Sequence, residues 1–392
     1  MKSQRLDSLK SSDSFSSGFK QRRDRICGQK WQKSYKKLHS EILDSRRRQQ
    51  FIVFTCKEEG YKCSGYGNRL GAIASLLFLS VLTKRAFLIE WDVDVHVPLE
   101  FYLLPNAIAW NYSVDNLQIL DTRTHFWGLR RQPIVSNRTD VIKIADTKED
   151  FISWLQNTDF QTHFDRSVEK VVGSWYFAED LWQNKFLKKR ALELGISSDR
   201  SNFSLIGCAF DFLFQKSRQL QARLDVAKTS LGLTRQAPKI GLHVRMGDIF
   251  LGYLTIQYID IDYKDFFDCA QVLTETLTRR NRDVFRKEDV RWFLATDDNK
   301  VKTYALKNYP VNAVTQIITP QHIKRLRKLT HSESVEVMYD VLVDHFLLSE
   351  CDFLILTGKS TFGKTAAGLM FHSKATFTFN AKGCTLMPND VN

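Results

Sequence analysis

Three loops carry residue types that suit the binding of an anion. They are residues 65–69 (Gly-Tyr-Gly-Asn-Arg), 243–248 (His-Val-Arg-Met-Gly-Asp) and 358–365 (Gly-Lys-Ser-Thr-Phe-Gly-Lys-Thr). Each loop follows a stretch of β-type sequence. In an open parallel sheet, ligands bind beyond the carboxyl ends of the strands. The pattern therefore predicts that the three loops line one ligand-binding crevice.

In the second loop, Arg245 is the residue best suited to hold a phosphate group, because a guanidinium donates two parallel N–H bonds. Side chains alternate along a strand, which places His243 and Arg245 on one face and Asp248 beyond the strand end. An ion pair between Arg245 and Asp248 within the loop is the structural alternative.

The glycines of the first loop permit a tight turn into a following helix. The first N–H groups of that helix, near Gly67 and Asn68, would then face an anion together with the positive end of the helix dipole. An ordinary strand-to-helix turn uses the same residue types. The first loop alone leaves both interpretations open.

The third loop fits the pattern G-x-x-x-x-G-K-[ST] of a P-loop, in a strand–loop–helix context. A P-loop normally starts its domain and needs a later strand with a magnesium-binding Asp, whereas only 27 residues follow Thr365. We therefore interpret Ser360 and Thr361 as an anion-binding helix N-terminus with a hydroxyl cap. A P-loop that binds ATP or GTP through residues 358–365 is the alternative.

Acidic residues form three further groups. Asp92 and Asp94 make a D-x-D pattern, which binds a metal ion in some enzymes, but the pattern is common and we predict no metal site. Asp297 and Asp298 follow a strand, where one of them would cap the next helix. Residues 336, 340 and 344 (Glu, Asp, Asp) recur at i, i+4 spacing on one helix face, which suits a solvated face as well as a site.

These side chains are positioned by alternating strands and helices. A βαβ unit is predicted from a strand at 51–55, a helix from about 67 to 84 and a strand at 86–90, and residues 179–194 have helical composition. After residue 238 the alternation predicts a doubly wound parallel sheet. Its predicted strands are 239–245, 290–296, 313–318, 353–357 and 376–379, and its predicted helices are 262–279, 298–309, 332–350 and 361–371.

The net charge of +13 is concentrated at one end of the 392-residue chain. The first 50 residues hold fourteen Lys and Arg and five acidic residues, a net charge of +9, which leaves +4 for the other 342. We interpret residues 1–48 as a basic, mobile tail or stem, partly helical around 31–43. The nearly balanced remainder gives weak grounds for nucleic-acid binding, and none is predicted.

Membrane and compartment signals are weak. The longest apolar run, residues 70–82, is shorter than the ~20 residues that span a bilayer, and no signal-peptide core is present. The cysteines have no zinc-binding spacing; Cys56 and Cys63 are close enough to pair, but free thiols fit equally well. Sequons at Asn111, Asn137 and Asn202 occur about as often as chance predicts. The cysteines are Cys27, Cys56, Cys63, Cys208, Cys269, Cys351 and Cys384.

Several blocks in fixed order resemble the fucosyltransferase superfamily, which includes the α1,2-, α1,6- and protein O-fucosyltransferases, the bacterial Nod-factor enzymes and the plant xyloglucan enzymes. The order and spacing agree from about residue 51 to 379. Residues 55–91 are most similar to the plant-type enzymes, and 243–248 to the α1,2 and α1,6 enzymes. The blocks are 67–69 (Gly-Asn-Arg), 243–248, 295–298 (Ala-Thr-Asp-Asp), 344–352 (Asp-His-Phe-Leu-Leu-Ser-x-Cys-Asp) and 360–363 (Ser-Thr-Phe-Gly).

The resemblance implies an α/β, GT-B-like architecture: two Rossmann-like, doubly wound domains with a central cleft. Residues 49–205 would form the acceptor-side domain and residues 206–392 the GDP-fucose-binding domain. The implied reaction is inverting transfer of L-fucose from GDP-fucose to a hydroxyl of a glycan or glycoprotein acceptor, without a metal ion or other cofactor. The implied location is the Golgi lumen or its membrane.

The resemblance also implies residue roles. Arg245 is expected to hold the β-phosphate of GDP, and Arg245 and Asp248 are the predicted catalytic residues. The general base is not identified, and Asp248, Asp92 and Asp94 are candidates from position alone. The residues expected to bind GDP-fucose are Gly67, Asn68, Arg69, His243, Asp344, Ser360, Thr361 and Phe362.

The sequence departs from the family pattern in three respects. Met246 stands where a second arginine is frequent, Lys364 is unusual after Ser-Thr-Phe-Gly, and no transmembrane anchor is found in this chain. Lys359 or Lys364 would compensate for the missing arginine. A catalytically inactive nucleotide-sugar- or glycan-binding relative is a further alternative, and a cytoplasmic or truncated protein is an alternative to the Golgi location.

Overall fold

The computed structural model of the protein describes residues 23–56, 64–91, 97–127, 141–144, 147–196, 204–234, 236–247, 262–281, 283–317, 329–358, 360–371, 376–380 and 383–386. Seven residues singled out in the sequence lie outside this part of the chain: Cys63, Asp92, Asp94, Asn137, Asn202, Asp248 and Lys359.

The N-terminal half is built on a five-stranded parallel sheet. The sheet has the order β2-β1-β6-β4-β5. In chain order, the strands are β1 (Phe51–Thr55), β2 (Ala86–Glu90), β3 (Leu103–Pro105), β4 (Thr122–Trp127), β5 (Val141–Ile144), β6 (Val168–Gly173) and β7 (Phe214–Lys216), of which β3 and β7 pair with each other as an antiparallel ribbon. The helices are α1 (Lys30–Leu43), α2 (Tyr66–Thr83), α3 (Lys148–Asn157), α4 (Phe160–His163), α5 (Lys188–Glu193), α6 (Ser204–Leu213) and α7 (Arg218–Ser230).

The C-terminal half carries the second sheet, of six strands, with the order β10-β9-β8-β11-β12-β13. All its pairs are parallel except β12 with β13. The strands are β8 (Lys239–Val244), β9 (Arg291–Thr296), β10 (Ala313–Val314), β11 (Phe353–Thr357), β12 (Thr376–Asn380) and β13 (Gly383–Leu386), and the helices are α8 (Lys264–Arg280), α9 (Asn299–Asn308), α10 (His331–Ser349) and α11 (Thr361–Leu369). The chain order reverses between β8 and β11, so the loops after these two strands meet at the topological switch point.

Helix α2 is the apolar centre of the structure. It packs on β1 and β2 and also on α6 and α11, so one continuous core crosses from the first half to the second. Among the described helices, α2 is the one that is long and apolar enough to cross a membrane. However, 94% of this apolar stretch is buried inside the protein. That burial is what the core helix of a folded domain requires.

Residues 30–43 are folded rather than mobile, which corrects the interpretation of this segment as a tail. Trp31, Tyr35, His39 and Ile42 recur at helical spacing and are buried. The Tyr35 hydroxyl donates to the Arg85 carbonyl over 2.9 Å. The lysines that give the segment its polar composition lie on the outer face of α1, which explains why composition alone suggested a solvated stem.

A disulfide between Cys27 and Cys208 joins the chain just before α1 to α6. Cys56 and Cys269 are disulfide-bonded as well, whereas Cys351 is a buried free thiol. The sequence had left pairing and free thiols equally open. The bond at Cys27 fixes the start of the described chain to a helix that packs on both α2 and α11.

Two predicted elements differ from the observed ones. The helix predicted at 179–194 is divided into a 3₁₀ turn, Asp180–Gln183, and α5. Asn184 causes the break, because its side chain accepts from the Leu187 N–H and donates to the Leu155 carbonyl. The strand predicted at 313–318 covers only Ala313–Val314. The other predicted strands and helices agree with the structure to within a few residues.

We predict that Trp31→Ala lowers the free energy of unfolding by about 3–5 kcal/mol, because it removes a large, fully buried ring. Lys33→Ala, on the exposed face of the same helix, should change it by no more than about 0.5 kcal/mol. Denaturant unfolding of both variants measures the difference. Equal, small effects would show that α1 contributes nothing to the fold.

Candidate active site

Asp297 organises the loop that follows β8. Its carboxylate lies 2.7 Å from the Arg245 guanidinium and accepts the backbone N–H groups of Met246 at 2.8 Å and Gly247 at 3.2 Å. Gly247 has a φ of 94°, a conformation that favours glycine. The described ion-pair partner of Arg245 is therefore Asp297, at the end of β9, and the expected alternative partner Asp248 lies outside the described residues.

The same loop is tied to β11. The Arg245 N–H donates to the Thr357 hydroxyl over 2.9 Å, and that hydroxyl donates to the His243 carbonyl over 3.1 Å. Arg245 is thus held from two neighbouring strands and is about one quarter exposed. Asp298 has the other role foreseen for this acidic pair, because its side chain caps α9 by accepting the Lys300 N–H.

The start of α11, at the same edge of the sheet, presents N–H groups that have no hydrogen-bond partner among the described residues. Lys364 is the first residue of this helix whose N–H bonds to a described carbonyl, that of Ser360. The N–H groups of Thr361, Phe362 and Gly363 make no such bond in the described structure. Ser360 stands at the N-cap but its hydroxyl makes no cap bond, contrary to the expected hydroxyl cap. Its hydroxyl and these donors can bind an anion.

The start of α2 meets the start of α11. A Cβ atom at Gly67 would lie 2.7 Å from the backbone nitrogen of Phe362 and 2.7 Å from the carbonyl carbon of Thr361. Only glycine allows this approach, which brings Gly67 and the half-buried Asn68 beside the third loop. Two helix N-termini, each with a partial positive charge, therefore converge from the two halves of the chain.

Arg69 is directed into the N-terminal half. Its side chain is buried, its Nε donates to the Ser64 carbonyl over 2.9 Å, and its guanidinium lies 5.0 Å from the centre of the Trp91 ring. Arg69 therefore links the first loop to Trp91, the residue that follows β2. The other residue of the predicted pair, Asn68, is half-buried in the first turn of α2, next to Gly67.

A cluster of three buried rings and the half-buried ring of Phe362 lies beneath the converging helices. The centres of His243 and Phe362 are 5.2 Å apart, and His345 lies 5.0 Å from both Phe362 and Tyr66. Burial lowers the pKa of His243 and of His345 to about 3, so both rings are neutral at physiological pH. A Cβ at Gly363 would lie 2.9 Å from Nδ1 of His243. His243 therefore shapes the site by packing and adds no charge.

Asp344 is a buried carboxyl on α10. Burial raises its pKa to about 7, although a hydrogen bond from Gln316 and the charge of Lys302 act in the opposite direction. The Lys302 ammonium also donates to the Gln316 carbonyl over 2.7 Å. On the same helix, Glu336 forms a two-bond ion pair with Arg223. The three acidic residues at 336, 340 and 344 therefore form neither a uniform solvated face nor a single site.

The structure contradicts a P-loop at residues 358–365. Helix α11 begins at Thr361, so Gly363, Lys364 and Thr365 lie inside the helix and not at the end of a phosphate-wrapping loop. The Thr365 hydroxyl, which would bind magnesium in a P-loop, is buried, bonded to the Phe362 carbonyl at 3.0 Å and placed 2.9 Å from Nε2 of His345. It faces the ring cluster, away from the anion site.

The structure thus brings together Gly67, Ser360, Thr361 and Phe362, with His243 directly beneath them and Asp344 on the helix that packs against α11. Asn68 follows Gly67 in the chain, and Arg245 follows β8 and is tied to Thr357 of the neighbouring strand. Sequence reasoning did not assign the supporting residues Asp297, Thr357, Gln316 and His345. The position of Asp297 after a strand was the one signal for it. Within the described ranges, no group of three or more His, Cys, Asp or Glu side chains is arranged to hold a metal ion.

Known proteins share the fold of this chain. A family model described as "Alpha-(1,6)-fucosyltransferase N- and catalytic domains" matches residues 195–379. A mutant of Arabidopsis thaliana FUT1 in complex with GDP has a TM-score of 0.56 and 14% identity, covering 96% of this chain and 83% of that one. NodZ α-1,6-fucosyltransferase soaked with GDP-fucose has a TM-score of 0.51 and 14% identity, covering 85% and 96%. Selenomethionine NodZ from Bradyrhizobium has a TM-score of 0.50 and 13% identity, covering 86% and 97%. No curated protein matches by sequence.

These matches and the two parallel sheets confirm the predicted α/β, GT-B-like fold. The domain boundaries at residues 48 and 205 stay a prediction, except that α1 belongs to the folded body.

We predict that Asp344→Asn gains stability relative to the parent protein as the pH rises from about 4 to 7. The parent carboxyl has a raised pKa, so the unfolded chain ionises first and folding becomes less favourable across this window, by on the order of 4 kcal/mol. Asparagine keeps an acceptor for Gln316 and removes the titration. Denaturant unfolding at several pH values measures the difference.

Asp44→Asn is the control of opposite sign. Asp44 is exposed and its hydrogen bond from Arg46 lowers its pKa, so this variant should lose stability relative to the parent as the pH rises. A stability difference for Asp344→Asn that is constant with pH would contradict the prediction.

Proposed function

We propose that the chain is a fucosyltransferase that transfers L-fucose from GDP-fucose to a hydroxyl group of a glycan or protein, with inversion and without a metal ion. The match of residues 195–379 to a fucosyltransferase family model and the fold shared with solved fucosyltransferases support this. The observation that carries the proposal is that the N-termini of α2 and α11 meet at the edge of the second sheet where Arg245 follows β8 and is tied to Thr357 of β11. These groups supply positive charge where a diphosphate would depart.

The geometry suits stabilisation of a leaving group. Breaking the bond between the anomeric carbon and the phosphate oxygen places negative charge on the diphosphate. Arg245 is held in advance by Asp297 and Thr357, so it requires little reorganisation when that charge develops. The unbonded N–H groups of α11 and the start of α2 add fixed partial charges. These groups can stabilise the negative charge of the leaving diphosphate, as a divalent cation does in other enzymes.

We assign the donor contacts as follows. Arg245 binds the β-phosphate, Ser360 and Thr361 bind the diphosphate through hydroxyl and N–H groups, and Phe362 lines the pocket. Asp344 contacts the nucleotide. These roles follow the family resemblance and are supported by the placement of the residues along one edge of the second sheet.

The other predicted site residues lie next to the residues assigned to the donor. Gly67 and Asn68 approach from α2, while Arg69 supports them from within the N-terminal half. Met246, at a position where arginine is frequent in the family, packs against the core of the second sheet instead. We therefore expect Arg245 and the helix ends to bind the phosphates, with Lys359 or Lys364 as the residues that would compensate for the missing arginine. For the proton of the acceptor hydroxyl, Asp248, Asp92 and Asp94 stay the proposed candidates from their sequence positions.

Arg245→Ala should lower kcat/KM for GDP-fucose turnover by about 10²–10³-fold, the usual effect of removing one fixed donor to a developing anion. Release of GDP from GDP-fucose, with and without EDTA, is the measurement, and the parent activity should persist in EDTA. Arg123→Ala is a matched control, because Arg123 is also paired with an aspartate, Asp165, but on the first sheet. It should leave turnover unchanged.

Strict metal dependence, or full activity of Arg245→Ala, would contradict the proposed reaction. A panel of β-galactoside, N-glycan-core and protein acceptors identifies the acceptor class. Binding of GDP without hydrolysis or transfer to any acceptor would instead indicate the catalytically inactive relative. Magnesium-dependent ATP binding that is abolished by Lys364→Ala would likewise contradict the proposed reaction.

We also propose that the enzyme works in an oxidising compartment such as the Golgi lumen. Disulfide bonds at Cys27, Cys56, Cys208 and Cys269 support this, because such bonds persist mainly in secretory compartments.

Asn111 provides the test of location, because it is exposed and lies in an Asn-Tyr-Ser sequon. Protein made in a eukaryotic secretory pathway, behind a cleavable signal peptide, should carry a glycan at Asn111. An endoglycosidase should therefore shift its mobility on a gel, and part of that shift should be lost in Asn111→Gln. Protein expressed from the native gene in its own cells is the decisive sample, and the absence of any N-glycan there would contradict a lumenal location.

A further inference from the structure

Basic side chains collect on one surface far from the cleft. This α1–α5 surface is formed by residues 30–48, Lys84 and residues 185–194. Residues 30–48 hold seven basic and two acidic side chains, and residues 185–194 hold four basic and one acidic. Because α1 is folded against the core, this charge is fixed in place and is not carried by a flexible chain.

A cavity of about 260 Å³ opens at the centre of the surface, between α1, the end of α2 and α5. The cavity is large enough for a phosphate group. Its lining includes Ser34 and Tyr35 from α1 and three cationic side chains, Arg47, Lys84 and Arg190. Arg47 is paired with Glu41 and Arg190 lies 3.6 Å from Glu193. The Nε atom of Arg190 is buried and has no hydrogen-bond partner among the described residues.

Lys84 is the most informative of the three. It ends α2 in the left-handed conformation, with a φ of 59°, where glycine or asparagine is the usual residue. Its side chain is exposed and forms no ion pair or hydrogen bond within the described structure. A lysine therefore occupies a backbone position that disfavours it, and its ammonium group is available to a ligand in the cavity.

The rim of the cavity adds charge and apolar contact. Lys33 and Lys37 are exposed on α1, one turn apart and next to Ser34, and Lys188 and Lys189 are exposed on α5 beside Arg190. Near them, the side chains of Phe186 and Leu192 are 47% and 64% exposed. Basic side chains interspersed with exposed apolar ones are typical of proteins that bind the surface of an anionic membrane.

We propose that the α1–α5 surface binds anionic phospholipid, with a headgroup phosphate in the cavity and the rim lysines on neighbouring headgroups. The exposed Phe186 and Leu192 favour a lipid surface over a soluble phosphate compound, because only the lipid offers them an apolar environment. The cavity lies at the carboxyl end of α2 and the cleft at its amino end, about 27 Å apart for eighteen residues of helix. Binding at this surface leaves the cleft open.

Sedimentation of the full chain with phosphatidylcholine vesicles, with and without phosphatidylserine, tests the proposal. Binding should require phosphatidylserine and should weaken as salt is added. Lys84→Asn should weaken binding about fivefold and Lys188→Gln with Lys189→Gln about twentyfold, which corresponds to the usual contribution of each basic residue near a membrane. Asparagine suits the left-handed conformation, so Lys84→Asn should unfold at a temperature no lower than the parent.

Arg279→Gln with Arg280→Gln is the matched control, because it removes two exposed charges from the end of α8 on the other half of the chain. It should bind vesicles as the parent does. Equal binding to neutral vesicles, or equal weakening by the control, would overturn the proposal. Thermal stabilisation by inorganic phosphate that depends on Lys84, without vesicle binding, would also overturn it and indicate a soluble phosphate ligand.

Discussion

The contact between Gly67 and the backbone of Thr361 and Phe362 brings the positive ends of α2 and α11 together. Two like partial charges at van der Waals distance repel each other. The structure holds them there because α2 is buried almost all round by β1, β2, α6 and α11. Apolar burial therefore fixes an electrostatic arrangement that an anion between the helices would relieve. The same contact excludes every side chain larger than hydrogen at residue 67.

This constraint explains the supporting residues on the second sheet. The reversal of strand order between β8 and β11 places the Arg245 loop beside the start of α11. Asp297 then holds that loop by three contacts, and Thr357 links it to β11. Asp297 offsets part of the charge of Arg245 and, in return, fixes where the guanidinium points. The neutral, buried ring of His243 fills the space beneath without adding a competing charge.

The sequence predicted the strands, most helices and the three loops of the site because these depend on local periodicity and on chain order. It did not predict features that depend on long-range packing. The Cys27–Cys208 bond spans 181 residues, and the role of Asp297 requires knowledge that β9 lies beside β8. The P-loop pattern was misleading because it is a local pattern of residue types, whereas the role of those residues depends on the fold. The residue types match, but α11 begins two residues before Gly363, and the Thr365 hydroxyl is turned into the core.

The distribution of charge follows from the same packing. Trp31, Tyr35 and Ile42 bury one face of α1, so its lysines must occupy the other, and the excess positive charge becomes a fixed surface at one end of α2. At the opposite end of that helix, the described part of the cleft takes its positive charge from Arg245 and from backbone N–H groups. The net charge of +13 therefore includes contributions from two separate features, the α1–α5 surface and the cleft. Because the two are joined by a single rigid helix, a surface that binds the basic end would also set the direction in which the cleft opens.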